Sequence, residues 1–90
     1  MVTGKTSTGF KYSANKKKLQ DVRFLKKYKD MVNSGDGTDI LDMIPMILGE
    51  EQAEKLYEHC DKDGISDIED VSREFGEIIQ QLGAAEETKN

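Results

Sequence analysis

Ile40-Leu41-Asp42-Met43-Ile44-Pro45-Met46-Ile47-Leu48-Gly49-Glu50-Glu51-Gln52 is the stretch on which the fold turns. Seven of the nine residues from Ile40 to Leu48 are apolar, so this segment has almost no wet face and belongs among the most buried of any structure the chain forms. Pro45 lacks an N–H and clashes with a preceding carbonyl, so either a helix kinks there or a fresh turn starts with Pro45 at its first position. Gly49 punctuates the run, and Glu50-Glu51 then place negative charge where the N-terminal end of a helix dipole favours it.

Downstream, Ala53, Leu56, Tyr57 and Cys60 fall at i, i+3, i+4 and i+7, an amphipathic helical stripe closed by Gly64 as C′ residue. Ser66 and Glu69 have the spacing of a capping box. Ile68, Val71, Phe75, Ile78, Ile79 and Leu82 mark one face of a further helix ending at Gly83. Upstream, Asn33-Ser34-Gly35-Asp36-Gly37 is a turn cluster, after which Thr38 or Asp39 can cap the apolar segment. Before it, Asn15 is a plausible N-cap for a helix to Val32 whose apolar residues, Leu19, Val22, Phe24, Leu25, Tyr28, Met31 and Val32, form a broad stripe opposite the lysines. Gly9-Phe10-Lys11-Tyr12-Ser13 alternates aromatic and polar side chains and suits a short half-buried strand.

The expected fold is therefore mainly α: a small bundle of about four helices with a short N-terminal extended or β segment. Residues 1–8, polar and rich in Gly, Ser and Thr, are expected as a mobile arm, 9–83 as one helical domain and 84–90 as a polar tail. Ninety residues bury only about 60 to 65% of their unfolded surface, which leaves such a domain marginal alone. Partners can supply the rest.

Charge is sharply sorted along the chain. Up to Lys29 there are nine cations against Asp21 alone, a net of +8. From Asp30 onward, 17 acidic residues face Lys55, Lys62, Arg73 and Lys89, a net of −13. Complementary potentials of this kind steer encounters and favour head-to-tail self-association or docking to charged protein partners. The rival is nucleic-acid binding through Lys16-Lys17-Lys18 with Lys26, Lys27 and Lys29. Against it stand an acidic pI near 4.8 and aromatics at core spacing rather than interleaved as stacking platforms. No apolar run approaches the roughly 18 residues of a membrane span. The residues before Asn15 lack a signal-peptide core, and the lone Cys60 points away from a disulfide scaffold, so a reducing cytosol is expected.

Motifs for catalysis and metal binding do not survive their spacing. Counted from Asp61, a calcium loop would need an oxygen ligand at Ile65, glycine at Ser66 and glutamate at Ser72. Gly4-Lys5-Thr6 copies only the end of a phosphate-binding loop, and adjacent His59 and Cys60 would face about 100° apart on a helix. No catalytic residue, metal ligand or cofactor site is expected, and function is sought in binding. Met43, Met46, Ile47 and Leu48 are candidate partner-binding residues, because methionine suits adaptable interfaces and a nearly all-apolar helix is hard to cover in a small domain. Lys16, Lys17, Lys26 and Lys27 are the candidate cationic contacts.

The succession of Gly9-Phe10-Lys11-Tyr12, Asp21-Val22-Arg23-Phe24-Leu25, Ile47-Leu48-Gly49-Glu50-Glu51-Gln52 with Lys55-Leu56-Tyr57-Glu58-His59, Ile68-Glu69-Asp70-Val71 and Glu87-Thr88-Lys89-Asn90 resembles the tail assembly chaperones of long-tailed siphophages and prophages of Gram-positive bacteria. The likeness spans Thr8 to Asn90. It implies a non-catalytic helical protein that self-associates and coats the tape measure protein in the host cytoplasm until tail tube protein displaces it, and that is absent from the mature virion. It also implies a longer form made by ribosomal frameshifting. Thr88-Lys89-Asn90 can be encoded as ACA AAA AAC, which permits a slippery run. The resemblance carries over no catalytic residues.

Overall fold

A computed structural model describes residues 1–85. Those residues form a two-stranded hairpin, β1 (Val2–Lys5) and β2 (Lys11–Ala14), followed by three helices, α1 (Val22–Ser34), α2 (Ile40–His59) and α3 (Ile68–Ala84). A second, minimal hairpin of β3 (Asp61–Lys62) and β4 (Ile65–Ser66) joins α2 to α3. The mainly helical class with a short N-terminal β element is as expected, with three helices in place of four. Of the polar tail expected over 84–90, Ala84 ends α3 and Ala85 caps it, while residues 86–90, with the Glu87-Thr88-Lys89-Asn90 ending, lie outside the described residues.

The first difference concerns residues 1–8. β1 pairs antiparallel with β2, Thr3 opposite Ser13 and Gly4 opposite Tyr12, so the expected arm is a strand and turn. Its hydroxyls, which make its composition resemble that of a loose segment, are the groups that tie it down. The Ser7 N–H and Oγ donate to the Glu77 carboxylate at 2.7 and 3.0 Å, and Thr8 Oγ1 donates to Glu74 at 2.7 Å. Tyr12 adds a 2.8 Å bond to Gln81 Oε1 while its ring lies over Gly4, where a Cβ would come within 2.5 Å of the phenol oxygen. Phe10, Tyr12 and Ala14 all enter the core.

The helix expected from Asn15 to Val32 is divided. Asn15 caps a short 3₁₀ turn, Lys16–Gln20, and Asp21 then leaves helical geometry (ψ 127°) to cap α1, its Oδ1 accepting from the Arg23 N–H at 2.8 Å. Three lysines in a first turn oppose the helix dipole, whereas a carboxylate at the N-cap complements it, so the stable start lies after the lysines. α1 ends at Gly35, which takes a left-handed φ of 71° and donates to the Met31 carbonyl.

α2 runs through Pro45 with neither a break nor a fresh start and breaks at Gly49, where the sequence places punctuation; its φ of 81° and ψ of 162° are open essentially to glycine alone. Proline withholds its own N–H and crowds the carbonyl of Leu41, an exposed residue whose carbonyl can turn to solvent. The Gly49 break frees the Leu48 carbonyl, and Gln52 answers it: Nε2 donates to Leu48 O at 2.7 Å and to Ser13 O at 2.8 Å, while Oε1 accepts from the Ser13 N–H at 2.8 Å. One carboxamide thus satisfies both the helix break and the outer edge of β2. Asp39 holds the N-cap position of α2 but makes no side-chain capping bond, and Thr38 does not cap it. Asp36 caps the 3₁₀ turn Gly37–Asp39 that leads into it.

The α2–α3 connection also departs from expectation. Asp63 (φ 56°) and Gly64 (φ 86°) occupy the two left-handed positions of a tight hairpin turn, and Asp61 Oδ1 accepts from the Gly64 N–H. Ser66 is no capping box, since its hydroxyl donates to the Tyr57 carbonyl, and Asp67 caps α3 by accepting from the Glu69 N–H at 2.7 Å. The core gathers Ile44, Ile47, Leu56, Ile78 and Leu82, each essentially inaccessible and each contributing about 1.5 to 3 kcal/mol by burial.

Candidate functional site

α1 is amphipathic, yet Phe24 is its only fully buried residue. Val22, Leu25, Tyr28 and Val32 remain 74, 47, 51 and 60% exposed, so most of the stripe faces outward. Beside it, Leu25, Tyr28, Phe24 and Met31 of α1, Leu19 of the 3₁₀ turn, Ile40 and Met43 of α2, and Phe75, Gly76 and Ile79 of α3 line an apolar groove of about 370 Å³. The groove exists because α1 meets α2 along one edge and leaves the facing surface of α3 partly open. Gly76 contributes to that opening, since a Cβ there would have no neighbour within 4 Å.

Arg23, Lys26 and Lys29 stand exposed on the same helix, with Lys17 and Lys18 on the preceding turn. Among the described residues none of these five makes an ion pair, whereas Lys27 reaches Asp42 at 3.2 Å. The Asp42 carboxylate, by hydrogen bond and charge, holds the Lys27 ammonium above its ordinary value. Lys16 is half-buried and donates to the Ala85 carbonyl, a cation at a helix C-terminus where the dipole favours it.

The expected partner-binding residues therefore separate. Met43, Ile47 and Leu48 are 2, 2 and 5% exposed and belong to the core, Met43 alone also forming groove wall. Met46 is half-buried. Most of the all-apolar segment is covered, because the N-terminal hairpin adds Phe10, Tyr12 and Ala14 to the core beside the helices, while Leu41 stays exposed and Met46 half-buried. Lys17 and Lys26 are exposed; Lys16 and Lys27 are committed to Ala85 and Asp42. Val22, Leu25, Tyr28 and Val32, expected as part of a broad stripe opposite the lysines, are exposed. The signal that could have found them is the helical position of Arg23, Lys26 and Lys29, which at about 3.6 residues per turn border these side chains and do not lie opposite them.

A polar cluster lies under the first hairpin. Thr8 Oγ1 sits 2.9 Å from His59 Nε2 and donates to Glu74 Oε2, so its lone pairs are left to accept from the imidazole. That polarity makes His59 a donor toward the hydroxyl, opposite to the role of a base activating a nucleophile. Glu74 is 7% exposed and its Oε1 has no partner among the described residues. The Phe10 and His59 rings meet at 5.4 Å, and burial pushes the neighbouring Cys60 thiol above its ordinary value. The cluster fastens hairpin, α2 and α3 together.

Among the described residues no three His, Cys, Asp or Glu side chains gather to hold a metal, and no helix is long and apolar enough to cross a membrane. Comparison of the chain with models of protein families, with curated proteins and with solved structures finds no match.

Proposed function

We propose that this chain is a non-catalytic binding protein that takes an apolar-faced helical segment of a partner into the α1 groove. The observation that carries the reading is the exposed apolar face Val22, Leu25, Tyr28 and Val32 bordered by Arg23, Lys26 and Lys29. A monomer of this size gains nothing from leaving four large apolar side chains in water, and contiguous patches of this kind mark interaction sites. Aromatic and apolar centres with a charged rim are the ordinary anatomy of such interfaces.

With the resemblance to siphophage tail assembly chaperones, the proposed partner is the tape measure protein, held in the host cytoplasm until tail tube protein displaces it. The chaperone would act as a homo-oligomer together with its own frameshifted longer form and would not remain in the virion. Co-expression with a tape measure fragment tests this. Wild type should keep the fragment soluble and co-purify with it, and Leu25→Glu should lose it while retaining wild-type helicity. A Leu25→Glu protein that still holds the fragment contradicts the groove assignment.

One observation favours a second reading: Lys17, Lys18, Arg23, Lys26 and Lys29, which make no ion pair among the described residues, could track a phosphate backbone. Nucleic-acid binding predicts retention on heparin that falls steeply with salt. The groove reading predicts little retention.

A further inference from the structure

The molecule carries a second exposed apolar feature, opposite in charge to the first. At the β3–β4 hairpin and the start of α3, Ile65 is 67% and Ile68 38% exposed. Around them stand Asp61, Asp63, Asp67 and Glu69, all exposed, with no ion pair among the described residues. Asp70 is the acid in this stretch that is paired, to Lys62 at 3.6 Å and Arg73 at 3.0 Å. From Asp61 to Asp70 the net charge is −4, and from Lys16 to Ser34, around the groove, it is +5. One site is a tight hairpin that projects; the other is a concave apolar channel.

A chain cannot satisfy its own groove with its own hairpin. Ile68 and the groove residue Phe75 lie on the same rigid helix, about 10 Å apart along its axis at 1.5 Å per residue. The complementary pair can close only between molecules. We propose that a second copy of this chain occupies the groove, its Ile65 and Ile68 seated against Leu25 and Tyr28 while its carboxylates face Arg23, Lys26 and Lys29.

The two surfaces differ, so the contact is head-to-tail and a pair of subunits keeps one free groove and one free hairpin between them. Assembly therefore extends beyond a dimer, into a ring or an open chain. This rests on the reading of the α1 groove as a binding surface and adds that the homo-oligomer is the partner-free store, which opens groove by groove as partner segments displace the seated hairpins. Opposite charge sets register and on-rate, and the seated isoleucines supply the apolar part.

The test uses two full-length variants with complementary lesions, Leu25→Glu in the groove and Ile65→Lys on the hairpin, both at exposed positions. Each is examined by sedimentation equilibrium and circular dichroism, alone and mixed, at low salt. Wild type is expected to form species larger than dimers. Each variant alone should be monomeric, with association at least tenfold weaker. The equimolar mixture should form a 1:1 heterodimer and stop there, because one good groove and one good hairpin remain. A wild type that is monomeric, or a two-fold dimer that grows no further, overturns the proposal. So does a variant that still assembles alone, or a mixture that stays monomeric. If Leu25→Glu loses helicity, the double reversal Lys26→Glu with Lys29→Glu replaces it under the same criteria. A monomeric wild type that still solubilises a tape measure fragment would sink head-to-tail assembly and leave the proposed function standing.

Discussion

α1 and α3 are equally amphipathic, and the fold treats them in opposite ways. α3 buries Val71, Glu74, Phe75, Ile78 and Leu82, whereas α1 buries Phe24 alone. The difference is what surrounds the apolar stripe. α3 has the first hairpin bound along it through Ser7, Thr8 and Tyr12, so its face is roofed from two sides. α1 is edged by cations that lose hydration if covered, and it touches the body mainly through Phe24, Met31 and the Lys27–Asp42 pair. Periodicity reports that a helix has an apolar side; it does not report what covers that side.

The comparison breaks first where the expected effect is largest. Ile78→Ala on α3 removes a fully buried side chain and should cost about 2 to 5 kcal/mol. Val32→Ala on α1 should stay within about 0.5 kcal/mol. Urea denaturation of both checks the pair, and equal losses would mean that α1 is core.

A smaller effect is expected at two glycines, Gly49 at the α2 break and Gly76 in the groove wall. Gly49→Ala forces an L-residue into a glycine-only conformation and should cost about 1 to 3 kcal/mol. Gly76→Ala, helical and facing open space, should stabilise by about 0.5 to 1 kcal/mol while narrowing the groove. Thermal unfolding reads both signs; a stabilising Gly49→Ala would move the break elsewhere, with Pro45 the remaining candidate.

The smallest effect concerns pH. Burial raises the Cys60 thiol in the folded state, so its contribution is complete below the ordinary thiol value and is lost only as pH climbs past it. Between pH 9 and 10, wild type should lose slightly more stability than Cys60→Ala, and below pH 8 the difference between the two should be flat. A difference that varies between pH 5 and 8 would place the thiol in another environment.

Much of this was readable in the chain. The α3 stripe, the Phe10-Lys11-Tyr12 alternation and the sorted charge follow from side-chain type and period, which act locally. Other features depend on contacts across the fold. Residues 1–8 look loose until Glu74 and Glu77, more than 60 positions away, accept their hydroxyls. Asp63-Gly64 carries a local hairpin signal that was masked by its resemblance to a helix end. The break at Gly49 is legible as punctuation ahead of Glu50-Glu51, whereas the choice left open at Pro45, kink or fresh turn, is decided only in the fold, where the helix runs through it. Of the candidate site, the cationic rim was legible. The groove was not, because Leu25 and Tyr28 obey the same spacing as core residues.

The most direct test of the central claim, that the α1 stripe is a docking face and not core, is thiol labelling of Leu25→Cys with native Cys60 as the internal buried reference. In dilute protein at pH 8, position 25 should react at the rate of an exposed helical thiol while Cys60 stays inert. Raising the protein concentration, or adding a tape measure fragment, should slow position 25 at least tenfold and leave Cys60 unchanged. Protection of position 25 equal to that of Cys60 in dilute protein, or labelling that no concentration or partner slows, would contradict the account.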